Sequence, residues 1–206
     1  MRHFVAAQRM LDVHKCRDLV SLQTTICMII FLQCTARIST CYSYIGTAVT
    51  AAVKLGLHRK TRNGTNPVEQ ETRKRVFWIL QKMDIYIGQI LGLPTLLNSE
   101  DVDQDLPLEV DDEYITSQGI YHPLGNSKFS IQAAANAHTA LMRIMAKAVK
   151  HLYPIKGPQT ESDQGSKTHT VSYTEILEVE RDIQQWQQNL PYTRDVVDKL
   201  PDYMPR

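Results

Sequence analysis

The sequence has no long hydrophobic run. Its most apolar stretch is I-C-M-I-I-F-L, Ile26–Leu32, whereas a bilayer span needs about 20 apolar residues. With its surroundings, Leu19–Leu32 reads as a helix buried on most sides, and Asp18 is placed to cap it. Cysteine is scarce. Cys16, Cys27, Cys34 and Cys41 form no C-x-x-C pair, which argues against a cysteine-only zinc site and fits reduced thiols in a nuclear or cytosolic setting. The opening M-R-H-F-V-A-A-Q-R-M lacks the apolar core of a signal peptide. The formal net charge is only +1, and a dedicated nucleic-acid binder is usually far more basic. No strand pattern survives beyond a few residues.

Recognisable catalysis is missing too. There is no G-x-S-x-G, no phosphate-cradling glycine loop and no cysteine–histidine nucleophile pattern. The acids Asp111, Asp112 and Glu113 suggest the magnesium-binding carboxylates of terpene-cyclising helical enzymes. Those need a further acid on the next turn, where Ile115 and Thr116 stand. The histidines lack paired spacing, so His138, on a helix face, reads as a core residue or a pocket contact. The expectation is a chain with no enzymatic activity and no cofactor or metal of its own.

What the sequence does have is charge segregation. Lys54–Lys82 holds eight Lys/Arg and two acids, whereas Met83–Ser127 holds nine acids and no Lys or Arg. The basic stretch contains E-T-R-K-R-V-F-W-I-L-Q-K-M-D, Glu71–Asp84, where a basic triplet runs into an aromatic pair. Such a juxtaposition is found at nucleic-acid contacts, but helical periodicity gives another reading. One row is Arg73, Phe77, Leu80, Asp84, Ile87 and Leu91; the adjacent row is Val76, Ile79, Met83, Tyr86 and Ile90. Together they predict a central helix with a broad apolar face, in which Phe77 and Trp78 pack. Asp84 is the odd member: a carboxylate in an apolar row needs partners, and His58, Arg37 and Tyr44 are the candidates, with a solvated rim position as the alternative.

The fold predicted is all-α: an irregular multi-helix bundle with an ordered acidic loop between the central and downstream helices, forming one domain over 1–206. Residues 2–14 read as helix. A further helix near 39–55 ends at Gly56, with Leu57 closing a Schellman turn. Asn66, Pro67 and Glu69 announce the start of the central helix. After Gly92, the loop is expected to be anchored by Leu93, Leu96, Leu97, Val102, Leu106, Leu108, Val110 and Tyr114. A helix follows near 127–152, with the row Ile131, Ala134, His138, Leu141, Met145, Ala148 and Leu152. Residues 154–170 read as a flexible loop. The last helix, 171–190, starts with a Ser172/Glu175 capping box and a staple of Val171 on Ile176. Its core row is Ile176, Val179, Ile183, Trp186 and Leu190, and Pro191 stops it.

Four short motifs in order give the chain a family likeness: A-A-V-K-L-G-L-H-R (51–59), R-K-R-V-F-W-I-L-x-x-M-D (73–84), G-L-P (92–94) and D-V-D-Q-D-L-P (101–107). With the upstream S-L-Q-T-T-I-C-M-I-I-F-L (21–32), they resemble the middle homology region of fungal zinc-cluster transcription factors, closest to the regulatory domain of the xylanolytic-activator type. The likeness covers roughly 1–115. It implies an all-helical regulatory domain in a nuclear transcription factor, with DNA bound by a separate N-terminal module of six cysteines around two zinc ions. Four scattered cysteines cannot supply that module, so the chain is expected to be a fragment or a truncated gene product.

The resemblance also implies co-regulator or small-molecule partners, is compatible with a homodimer, and implies no membrane. Its conserved-type positions map to Arg75, Phe77, Trp78 and Asp84, which read as structural with a switching role. A small-molecule receptor version would line a pocket with groups such as Tyr44, Tyr86 and His138. Many members read G-R-P where this chain has Gly92-Leu93-Pro94, so no role of that arginine carries over.

Overall fold

The computed structural model describes residues 2–10, 16–60, 66–121, 130–152 and 172–190. The described residues form six helices: α1 (Arg2–Met10), α2 (Leu19–Cys34), α3 (Ile38–Lys54), α4 (Pro67–Leu91), α5 (Ile131–Leu152) and α6 (Tyr173–Gln188). The fold is all-α apart from a two-residue antiparallel ladder, β1 (Ile115–Thr116) with β2 (Gly119–Ile120), that the sequence did not announce. No helix among the described residues is long and apolar enough to cross a membrane. The expected loop at 154–170 lies outside the described residues, as do residues 11–14 of the first predicted helix, residues 127–129, the Val171 staple and Pro191.

Backbone contacts group the chain into two compact units, Met1–Asn136 and Ala137–Arg206, where the sequence was read as one domain. In the first unit, α3 packs against both α2 and α4. Leu22, Ile29, Ile45, Ala48, Phe77 and Ile87 form the centre of its core. Alanines at 48, 51 and 52 let the helices approach closely.

The ends of these helices follow from local chemistry. Asp18 accepts from Ser21 N at 2.7 Å and opens α2. Asn66 accepts from Val68 N, and Pro67 takes the first turn of α4. Gly56 (φ 70°) ends α3, with Leu57 N donating to Ala52 O and the Leu57 side chain fully buried. Gly92 (φ 66°) ends α4 in the same left-handed way.

Three expectations about helix faces are corrected. α2 is not buried on most sides: Leu22, Ile26, Ile29 and Leu32 face inward, but Val20, Cys27, Ile30 and Cys34 are exposed. On α5, Ile131 is 79% exposed and Ala134 and His138 are exposed, while Ala133, Asn136, Thr139 and Met142 are buried. The face turns because Asn136, a hydrogen-bonding amide, is drawn inward at the start of the helix. In the second unit, α6 buries no residue completely. Ile176 and Ile183 are exposed, and the half-buried row is Val179, Asp182 and Trp186. Polar contacts set that row: Trp186 Nε1 donates to Ala137 O at 2.8 Å, and Lys147 Nζ bridges Glu178 and Asp182, each at 2.7 Å.

Candidate functional site

The chemistry of the first unit concentrates where α4 meets the acidic segment that follows it. Residues 93–112 form a strap with one 3-10 turn at Ser99–Asp101 and another beginning at Asp112. Gly92 reverses the chain, and Leu93 N donates to Gly88 O at 2.7 Å. A side chain at Gly88 would meet Leu93 O at 3.2 Å, so α4 and the strap come together backbone to backbone.

Asp84 is fully buried, and its partners are not the predicted side chains of His58, Arg37 or Tyr44. Its carboxylate accepts from Leu96 N (3.1 and 2.9 Å) and Leu97 N (2.9 Å). The reversal at Gly92 explains this: it returns unpaired backbone donors to the middle of α4, and buried N–H groups must be paired. Burial pushes the Asp84 carboxyl above its ordinary value of 3.8, against the opposing pull of the two amides.

Five more groups hold the strap further along. Gln104 Nε2 donates to Leu57 O (2.9 Å) and Arg59 O (2.8 Å), the carbonyls that follow α3. Trp78 Nε1 donates to Asp105 O at 2.8 Å. Glu71, almost fully buried, accepts from Leu108 N (2.9 Å) and Lys74 Nζ (2.7 Å). Asn136 Nδ2 donates to Pro107 O at 2.9 Å. Arg75 then pairs with Asp112 and donates to Val110 O at 3.3 Å.

Most of the expected leucine anchors are not anchors. Leu97 and Val110 are buried, but Leu93, Leu96 and Leu106 are 42%, 43% and 41% exposed. The sequence reading missed Glu71, Gln104 and Asn136. Glu71 and Gln104 have polar neighbours on both sides and interrupt no apolar row as Asp84 does, and Asn136 stands among alanines that do not mark a face.

The basic triplet is committed to the fold. Arg73 Nη2 donates to Leu55 O (2.7 Å) at the end of α3, Lys74 binds Glu71, and Arg75 binds Asp112. Phe77 is fully buried, and its ring meets Trp78 edge-on at 5.4 Å between centroids. Of the three acids Asp111–Glu113, Asp112 is the one paired with Arg75. Among the described residues, no group of three or more His, Cys, Asp or Glu is placed to hold a metal ion.

Of the three pocket candidates, Tyr44 and Tyr86 lie in the first unit and His138 in the second. Tyr44 is half-buried, with its hydroxyl accepting from Gln8 Nε2 at 2.6 Å and its ring near Phe4. Tyr86 is 51% exposed on α4, and His138 lies on the exposed side of α5 in the second unit. A shallow cavity of about 420 Å³ in the first unit contains none of them; it is lined by Cys16, Ser43, Thr47, Thr50 and Lys54 among others.

Comparison with known proteins agrees with this geometry. The model of the fungal specific transcription factor domain matches residues 2–188. The chain is 38% identical to the activator of stress genes protein 1 of Candida albicans, over 98% of this chain and 22% of the relative. It is 38% identical to the activator of stress genes 1 of Saccharomyces cerevisiae, over 92% of this chain and 19% of the relative. The transcriptional activator protein acu-15 of Neurospora crassa is 31% identical, over 86% of this chain and 19% of its own length. The chain thus spans about a fifth of the length of these curated relatives. No solved structure matches it. The match runs across both compact units and every strap-holding residue named above, and the chain belongs to the fungal specific transcription factor domain family.

Proposed function

We propose that this chain is the regulatory part of a nuclear, DNA-binding fungal transcription factor, and that it controls transcription by responding to a partner or effector. DNA contact is assigned to a separate zinc-cluster module. This chain holds no cofactor and catalyses no reaction. The observation that carries this reading is the fate of the basic stretch. Arg73, Lys74 and Arg75 are all bound to groups of the chain itself, so the segment that most resembles a DNA contact serves as scaffold. The named relatives are activators, which supports a regulatory role.

Two measurements test it. The isolated chain should not retard DNA at low or moderate salt; binding with a steep salt dependence would make Lys54–Lys82 a contact surface and overturn the assignment of roles. Placed between a heterologous DNA-binding domain and an activation segment, the chain should change reporter output several-fold between growth conditions. Unchanged output across carbon sources and stresses would refute regulation. The effector version of this reading expects a ligand-dependent rise in Tm across a metabolite panel; a flat response favours a protein partner.

A further inference from the structure

The strap is tied down in an unusual way. Most of its ties join a side chain to a backbone group: Asp84 and Glu71 accept strap N–H groups, Trp78 and Arg75 donate to strap carbonyls, and Gln104 reaches from the strap to the carbonyls after α3. Its apolar anchors are limited to Leu97, Pro107 and Val110, which are buried, and Val102, which packs against the core, whereas Leu93, Leu96 and Leu106 are each about two-fifths exposed. Few buried apolar contacts and many polar ties are what distinguish segments that open locally from those that open only with the whole core.

The ties also define a receptor. α4 offers two buried carboxylates to N–H donors, and an indole N–H and a guanidinium to carbonyls, with Glu71, Arg75 and Trp78 on one face of the helix and Asp84 on the face of the Phe77 row. This set reads an extended backbone rather than particular side chains, because every strap group it engages, apart from the Asp112 carboxylate, belongs to the main chain. The strap is acidic, with Glu100, Asp101, Asp103, Asp105, Glu109, Asp111 and Asp112, and it crosses the basic stretch, where Lys60 pairs with Asp105 at 2.7 Å and Arg75 with Asp112.

We propose that residues 93–112 are a displaceable intramolecular ligand of α4: an autoinhibitory strap that detaches as a unit while α2–α4 stay folded, and that shares its groove with an extended acidic peptide. Opening would free the polar atoms of Trp78, Glu71 and Asp84 that the backbone of the strap now engages. The physical claim stands on this geometry; only its regulatory meaning rests on the function proposed above.

Native-state hydrogen exchange of the full chain tests the detachment. The amides of Leu96, Leu97 and Leu108 should exchange at least tenfold faster than those of Ile45, Ala48 and Ile87. Gln104→Ala should speed the strap amides further and leave the helix amides unchanged. A labelled 20-residue peptide with the sequence of residues 93–112 tests the groove. It should bind Gln104→Ala more tightly than the wild type, and more tightly than a scrambled peptide of the same composition binds. Trp78 should become quenchable by acrylamide in Gln104→Ala with Trp186→Phe as background, and be protected again by the peptide.

Strap amides that exchange only with the core would overturn the proposal, as would equal binding of the native and scrambled peptides. A strap that detaches and rebinds in trans, beside a reporter indifferent to Gln104→Ala, would keep the strap a displaceable ligand and refute its autoinhibitory role. A reporter that responds to growth conditions, beside a strap that never detaches, would refute the strap and keep the regulation.

Discussion

The helical core and the strap belong to one compact unit but are held by opposite means. Leu22, Ile29, Ile45, Phe77 and Ile87 interlock as apolar side chains with no exposed surface. The strap buries Leu97, Pro107 and Val110, packs Val102 against the core, and depends for the rest on hydrogen bonds that involve Asp84, Glu71, Gln104, Trp78 and Arg75. An interior of interlocked side chains loses cavity and transfer energy together when one is truncated. A polar tie costs what its abandoned donor or acceptor costs, which is smaller and local. The core therefore sets whether the unit folds, and the ties set where one segment lies.

Truncating the core should give the largest effect. Phe77→Ala should destabilise by about 3–5 kcal/mol, seen as a lower midpoint in denaturant with the strap and the helices lost together. Glu71→Ala should cost less, about 1.5–3 kcal/mol, because it strands Leu108 N and Lys74. Its distinctive sign is faster amide exchange in the strap before any loss of helical circular dichroism. A loss of helix and strap in a single transition for Glu71→Ala would erase the contrast between the two regions.

Asp84 sharpens the comparison through pH. Asp84→Ala should cost about 1–3 kcal/mol by leaving Leu96 N and Leu97 N unpaired. Asp84→Asn keeps an acceptor and removes the charge, so it should cost less. The sign follows from the raised carboxyl. A folded pKa above the unfolded one means that the native state binds more protons between the two values. Asp84 therefore lowers stability at neutral pH, and that penalty is relieved as pH falls toward 3.8. The wild type should gain on Asp84→Asn over that descent, read as the difference between their urea midpoints. A gap that widens in favour of Asp84→Asn as pH falls would show that the two amides outweigh burial.

Much of this was readable because helix signals are local. Asn66-Pro67, Gly56-Leu57 and Gly92 fix element ends through the geometry of a few neighbouring residues, and the structure places all three where the spacing put them. Asp84 stood out as a charge in an apolar row, and it is buried. Its partner was not readable, because the donors are backbone groups and every residue carries those. Gln104 and Asn136 were invisible for a related reason: each answers to a carbonyl brought near by the fold, at Leu57 and at Pro107. Helix faces failed where apolar residues outnumber the places available to bury them, as at Ile131 and Ile183.

The outer row of α4 gives the smallest predicted effect. The sequence read Val76, Ile79, Met83, Tyr86 and Ile90 as one apolar face with the Phe77 row, and Val76 is buried. Yet Ile79 is 38%, Tyr86 51% and Ile90 52% exposed. A helix with two adjacent apolar rows cannot reveal from its own periodicity which row has neighbours; here Phe77, Leu80 and Ile87 are fully buried. Ile90→Ala should change stability by less than about 0.5 kcal/mol, where a buried isoleucine would lose about 2–5 kcal/mol. Measured beside Ile87→Ala, three residues earlier on the same helix and fully buried, the pair compares the two faces at nearly constant sequence position. A large loss at Ile90 would mean that the outer row is covered in solution, and the inner face would no longer be the only one that folding depends on.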